Sequence, residues 1–137
     1  MRVFFDPSAL VKRYIEEKGS DQVESFFLQA DSIVVSGICM PEIISAFARR
    51  RRESILNTVQ YNQCKKSLVE DFTVFQICQL SDAVIKASIS ILEHSEIRAM
   101  DALHVACAIE SKVALFVSSD KRQILAAKKF NLMVYLV

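Results

Sequence analysis

Five short apolar runs, separated by stretches with helical spacing, restrict this chain to few folds. Arg2–Phe5, Ile33–Ser36, Thr73–Cys78, Ala114–Ser118 and Leu132–Val137 read as strands, and most are apolar on both faces. Strands of that kind are covered by helices above and below, as in a parallel sheet. Between them the sequence predicts helices with recognisable ends. Asp6-Pro7-Ser8 opens one that runs to about Lys18 and is ended by Gly19, with Pro7 at the favoured first position. Asp21 and Glu24 form a capping-box-like start to a helix through Gln29. Further helices start at Pro41, span Asn57–Glu70, run from Ser81-Asp82 to about His94, carry Asp101, and run from Asp120 to about Phe130. The expected architecture is a three-layer α/β/α sandwich with a central, mainly parallel sheet of four to five strands.

At 137 residues, 52% of them apolar and with only two glycines and two prolines, the chain reads as one domain over residues 1–137. A chain of this size buries about two thirds of its unfolded surface. There is no linker, repeat or low-complexity segment. The net charge of +1 excludes a strongly basic nucleic-acid binder but leaves room for local basic patches. No run approaches the ~18 apolar residues of a membrane span, and MRVFFD reaches an Asp too early for a secretory leader. Cys39, Cys64, Cys78 and Cys107 show neither a CxxC pair nor zinc spacing, so they read as free thiols in a reducing cytoplasm.

The acids carry the chemistry. Asp6, Glu42 and Asp120 each follow a strand, which places them on the sheet edge where α/β proteins bind ligands. Asp101 lies in RAMDALHVACA, a helix apolar nearly all round, where an ionised carboxylate needs a partner. Each has a plainer role available: Asp6 and Asp120 as helix caps, Glu42 beside a helix dipole, Asp101 in a salt bridge with Arg98. Taken together they point elsewhere. Carboxylates about 5 Å apart repel by about 3 kcal/mol per pair at an effective dielectric of 20, so a gathered set calls for a cation. All-oxygen ligands favour Mg²⁺ or Mn²⁺, and such an ion can activate water for phosphodiester hydrolysis.

Around these acids, Lys12, Arg13, Arg49 and Lys121 are candidates for RNA-backbone contacts, with Arg122 beside them, although solvated surface is the plainer role for any one. Ser8 can cap its helix or touch substrate, and Ser118 or Ser119 can cap or orient water. His104 reads as a core histidine and His94 as exposed.

Four segments, VFFDPSALVKRYIEE, VVSGICMPEIISAFARR, RAMDALHVACAIE and LFVSSDKRQILAAKK, resemble the PIN-domain ribonucleases, in particular the VapC-type toxins of toxin–antitoxin pairs. They occur in family order and spacing across essentially the whole chain. The resemblance implies a PIN-like fold in which Asp6, Glu42, Asp101 and Asp120 hold a divalent metal. It further implies a metal-dependent endoribonuclease leaving 5′-phosphate and 3′-hydroxyl ends. Its partners would be RNA and a cognate antitoxin laid across the site, with no membrane association. The protein would be a cytoplasmic homodimer. Asp6-Pro7-Ser8 departs from the Asp-Thr-Ser or Asp-Ser-Ser of many relatives, and Pro7 removes a hydroxyl and a backbone donor there. Ser118 or Ser119 falls where relatives often carry a Thr or Ser. The alternative is a catalytically inactive PIN-like module that binds RNA or an antitoxin. A phosphoryl-transfer receiver is disfavoured, because Pro7 and Ser8 stand where it needs a second acid. No motif fixes the RNA target.

Overall fold

In β1 (Arg2–Phe5) the side chains alternate between two cores, and this divides the molecule into layers. The computed structural model describes residues 1–137. Val3 and Phe5 pack with Leu10, Val23, Ile43, Phe47 and Leu68, while Phe4 packs on the other face with Val34, Val84, Ile91, Val105 and Phe116. The first core is roofed by α1 (Pro7–Tyr14), α2 (Ser20–Gln29), α3 (Cys39–Arg52) and α4 (Thr58–Phe72). The second is roofed by α5 (Asp82–His94), α6 (Ala99–Glu110) and α7 (Lys121–Lys129). The α/β/α sandwich is therefore observed.

The sheet adds β2 (Ser32–Ser36), β3 (Gln76–Cys78), β4 (Leu115–Ser118) and β5 (Val134–Leu136) in the order β3-β2-β1-β4-β5. Every pairing is parallel, with Phe4 opposite Val34 on one side and Phe116 on the other. The chain winds from β1 through β2 to β3, then returns across the sheet to place β4 on the free side of β1. That reversal makes a crevice at the C-terminal ends of β1 and β4, the place where open α/β sheets bind ligands. No helix is long and apolar enough to cross a membrane.

Several predicted boundaries shift. The first helix ends at Tyr14 rather than Lys18, because Ile15 turns extended (φ −126°, ψ 118°) to pack against the first core. The Asp21–Glu24 capping box does not form. Gly19, at φ +96°, precedes the helix instead, and Glu24 is drawn away by Arg13. Helix α3 begins at Cys39, two residues before Pro41, which is accommodated because the first turn needs no N–H from it. The strand expected from Thr73 is confined to Gln76–Cys78, since the N–H groups of Thr73, Val74 and Phe75 still bond back to the end of α4.

Candidate active site

Asp6 is the N-cap of α1 and the most enclosed of the four acids, at 1% exposure. Its Oδ2 accepts from the Ser8 backbone N–H (3.1 Å), the Ser118 hydroxyl (3.2 Å) and the Ser8 hydroxyl. Its Oδ1 accepts from Gln123 Nε2 at 2.9 Å. No Lys or Arg pairs with it. Burial pushes its carboxyl above the ordinary 3.8, opposed mainly by His104 and by these hydrogen bonds.

Asp120 caps α7, its Oδ1 accepting from the N–H groups of Arg122 (2.7 Å) and Gln123 (3.3 Å). Asp101, in the first turn of α6, reaches the same edge. Its Oδ1 accepts from the same Gln123 Nε2 at 2.9 Å. Burial raises its carboxyl first, followed by the charges of Asp6, Asp120 and Glu42, so the acids sense one another. Arg98, its expected local partner, makes no ion pair with it. Glu42 lies in the first turn of α3. Its Oε2 is 3.1 Å from Nε2 of the fully buried His104, although that contact is not aligned as a hydrogen bond. The other ring nitrogen of His104 meets Ser36 Oγ at 2.8 Å, and Glu42 Oε1 is buried without a partner.

The three serines tie α1 to the end of β4. Ser8 Oγ lies 3.3 Å from Ser118 Oγ and accepts from the Ser119 N–H at 3.0 Å, while Ser119 Oγ donates to the Ser8 carbonyl at 3.2 Å. Ser118 Oγ accepts from the Asp120 N–H at 3.0 Å. Ser8 and Ser118 therefore orient Asp6 directly.

Two clefts with basic side chains in their walls flank the acids. One, of about 270 Å³, is lined by Arg98, Asp101, Asp120 and Arg122. The other, of about 480 Å³, includes Ser8, Lys12, Lys18, Glu42, Arg49, Arg50 and Ser119. Lys12 Nζ donates to the Lys18 carbonyl at 2.6 Å, Arg49 is exposed, and Lys121 is exposed but lines neither cleft. The Arg13 guanidinium pairs with Glu24 and with Asp71 (2.9 Å) and lies 4.2 Å from the centroid of the Phe27 ring. These contacts build it into the fold.

No three His, Cys, Asp or Glu side chains are drawn together at metal-ligand distance. The Gln123 amide stands between Asp6 and Asp101, and Glu42 Oε2 faces His104. The residues nevertheless fit a hard cation in their chemistry. All offer oxygen, Asp6 is a buried carboxylate with no basic partner, and Glu42 Oε1 is an unbonded buried acceptor. Gln123 is the residue that sequence reasoning missed. Its one signal is position: it falls on the buried face of α7, beside Ile124, Ala126 and Ala127, where an amide needs a polar partner.

Residues 3–129 match the PIN domain. The chain belongs to the PIN-domain family. PIN domains are nucleases that generally use divalent metals. Among solved structures, this PIN domain is similar to FitAcB from Neisseria gonorrhoeae, at 17% identity and TM-score 0.73, with 97% of this chain and 96% of that chain covered. VapBC2 from Rickettsia felis, bound to a DNA fragment from its promoter, matches at 13% identity and TM-score 0.70 over 100% and 99% of the chains. Mycobacterium tuberculosis VapC20, described as a sarcin-ricin loop cleaving toxin, matches at 12% identity and TM-score 0.69 over 90% and 94%. At these identities the likeness is one of fold. No curated protein sequence matches the chain.

Proposed function

We propose that this PIN domain is a metal-dependent endoribonuclease and the toxin of a toxin–antitoxin pair. The observation that carries the reading is the meeting of Asp6, Asp101 and Asp120 on Gln123 at the β1/β4 crevice, with Glu42 acting on the same charges. Mg²⁺ or Mn²⁺ held by these four acids would polarise a phosphoryl oxygen and lower the pKa of a bound water. The chain's own groups then have distinct tasks. Ser8 and Ser118 fix the Asp6 carboxylate, Glu42 Oε2 faces His104, and Glu42 Oε1 is the free acceptor. Lys12 and Arg49 on one side, with Arg98 and Arg122 on the other, offer phosphate contacts flanking the acids. The products carry 5′-phosphate and 3′-hydroxyl ends.

The fold neighbours support the partner assignment, since one is a toxin–antitoxin complex from Klebsiella pneumoniae and another is described as cleaving the sarcin-ricin loop. A cytoplasmic homodimer inhibited by a small antitoxin follows from the same reading.

The deciding experiment incubates a labelled pool of structured RNAs with the purified protein in Mn²⁺ or in EDTA. Cleavage only with Mn²⁺ is expected. Cleavage that survives EDTA overturns the metal assignment. RNA or antitoxin binding without any cleavage would make the domain an inactive binding module.

The flanking cations make a separate prediction. Lys12→Ala with Arg49→Ala, and Arg98→Ala with Arg122→Ala, should each raise KM for RNA much more than they lower kcat. Each lost phosphate contact should also reduce the salt slope of RNA binding by about one. Unchanged KM and slope in both double variants would remove these residues from the RNA path.

A further inference from the structure

Gln123 is 2% exposed, yet both N–H donors of its amide are spent on carboxylates. One N–H goes to Asp6 Oδ1 and one to Asp101 Oδ1, both at 2.9 Å, and its backbone N–H goes to Asp120 Oδ1 at 3.3 Å. The cost is visible on the other half of the amide, where Oε1 is buried with no partner. Turning the amide over would satisfy nothing, because it would set a carbonyl oxygen against two carboxylates. A buried side chain that leaves its acceptor unmet in order to bridge two acids is answering their charge.

We infer that Gln123 is a positioning residue whose amide, bridging Asp6 and Asp101, would compete with a divalent ion for these two carboxylates. This rests on the reading that these acids hold a metal. The amide supplies two hydrogen bonds but no net charge. It holds the two carboxylates at one spacing and would compete with the ion for them. The residue thereby lowers metal affinity while keeping the metal-free site ordered. A residue that merely filled space would stabilise both forms equally.

The test uses the full chain stripped of metal, with Mn²⁺ alone as probe. Gln123→Met keeps the length of the side chain and removes both donors. Its metal-free Tm should fall by several degrees. Its Mn²⁺ dissociation constant, read from the free-ion electron paramagnetic resonance signal, should tighten about tenfold, the equivalent of one charge-assisted hydrogen bond. The rise in Tm on adding Mn²⁺ should therefore exceed that of wild type. Gln123→Glu places a further carboxylate against Asp6 and Asp101. It should lower the metal-free Tm more and gain more from Mn²⁺.

Equal Tm losses with and without Mn²⁺, or an unchanged or weaker Mn²⁺ affinity, would overturn the inference. If metal-free Gln123→Met does not fold, its folding at Mn²⁺ concentrations that saturate wild type supports the inference, and its failure to fold there counts against it. Absence of Mn²⁺ binding in wild type and both variants would bring down the metal reading itself. Binding by wild type with no change in the variants would remove Gln123 alone.

Discussion

Asp101→Asn should reduce RNA cleavage by about a thousandfold or more, while the metal-free protein becomes as stable as wild type or more so. On the proposed reading, the loss of activity follows from removing one carboxylate of a set that would hold a doubly charged ion, since several kcal/mol of transition-state charge stabilisation corresponds to about that factor. The gain in stability follows from the local balance of charge. Burial raises the Asp101 carboxyl, and Asp6, Asp120 and Glu42 raise it further, with His104 opposing. Asparagine relieves those three repulsions, and its Oδ1 can still accept from Gln123 Nε2.

The sign with pH is opposite to ordinary acid denaturation. A carboxyl whose folded pKa lies above its unfolded value of about 3.8 binds protons more readily in the folded state. Its ionisation therefore costs stability, fully so above the raised value. Metal-free wild type should gain stability from Asp101, and in the same direction from Asp6, as pH falls through their raised pKa values toward 3.8. The gain should shrink in Asp101→Asn. Urea midpoints in EDTA across this window check both statements. A fall of several degrees in the Tm of Asp101→Asn at neutral pH would make Asp101 a structural ion-pair partner and sink its place among the metal ligands.

The sequence reading succeeded where local chemistry and tertiary structure agree. Arg2–Phe5 is a strand to the residue because apolar side chains on both faces find a core on both faces. Pro7 and Asp6 mark the following helix start because fixed φ and a side-chain acceptor are strictly local requirements. It failed at Thr73–Phe75, where alternation imitates a strand but the edge strand β3 needs only three residues to complete its register with β2. Capping and site roles stand as alternatives for Asp6 and Asp120 in the sequence, and the structure shows the capping. Each caps its helix with one oxygen and belongs to the acid group as well. Gln123 was invisible for a different reason. Its amide meets residues 117 and 22 positions away, and no local spacing encodes a contact made by the β1/β4 crossover. The ion pair of Arg13 was invisible for the same reason, since Asp71 lies 58 residues on.

Arg13 gives the second large effect, and it separates charges that hold the fold from charges that serve the site. Its guanidinium ties α1 to α2 through Glu24 and to α4 through Asp71, over the ring of Phe27. Asp71 also accepts from the Tyr14 hydroxyl at 2.7 Å. Burial and that carboxylate push the Tyr14 phenol well above its usual range, so it remains a donor. Arg13→Ala leaves Asp71 half-enclosed with one partner gone and strips the cation from the ring. The expected loss is about 2 kcal/mol, a fall of roughly 5–10 °C in Tm for a domain of this size. Cleavage per folded molecule at 25 °C should stay within about twofold of wild type. The salt slope of RNA binding should not change, because a side chain locked in two ion pairs neutralises no phosphate and so releases no counterion. Asp71→Asn should reproduce the Tm loss in part, since it keeps an acceptor for Tyr14 but loses the charge. A raised KM and a shallower salt slope at unchanged Tm would return Arg13 to the RNA path. The reverse pattern would show that, of two adjacent cations in α1, Lys12 faces the substrate cleft and Arg13 holds the helices that build it.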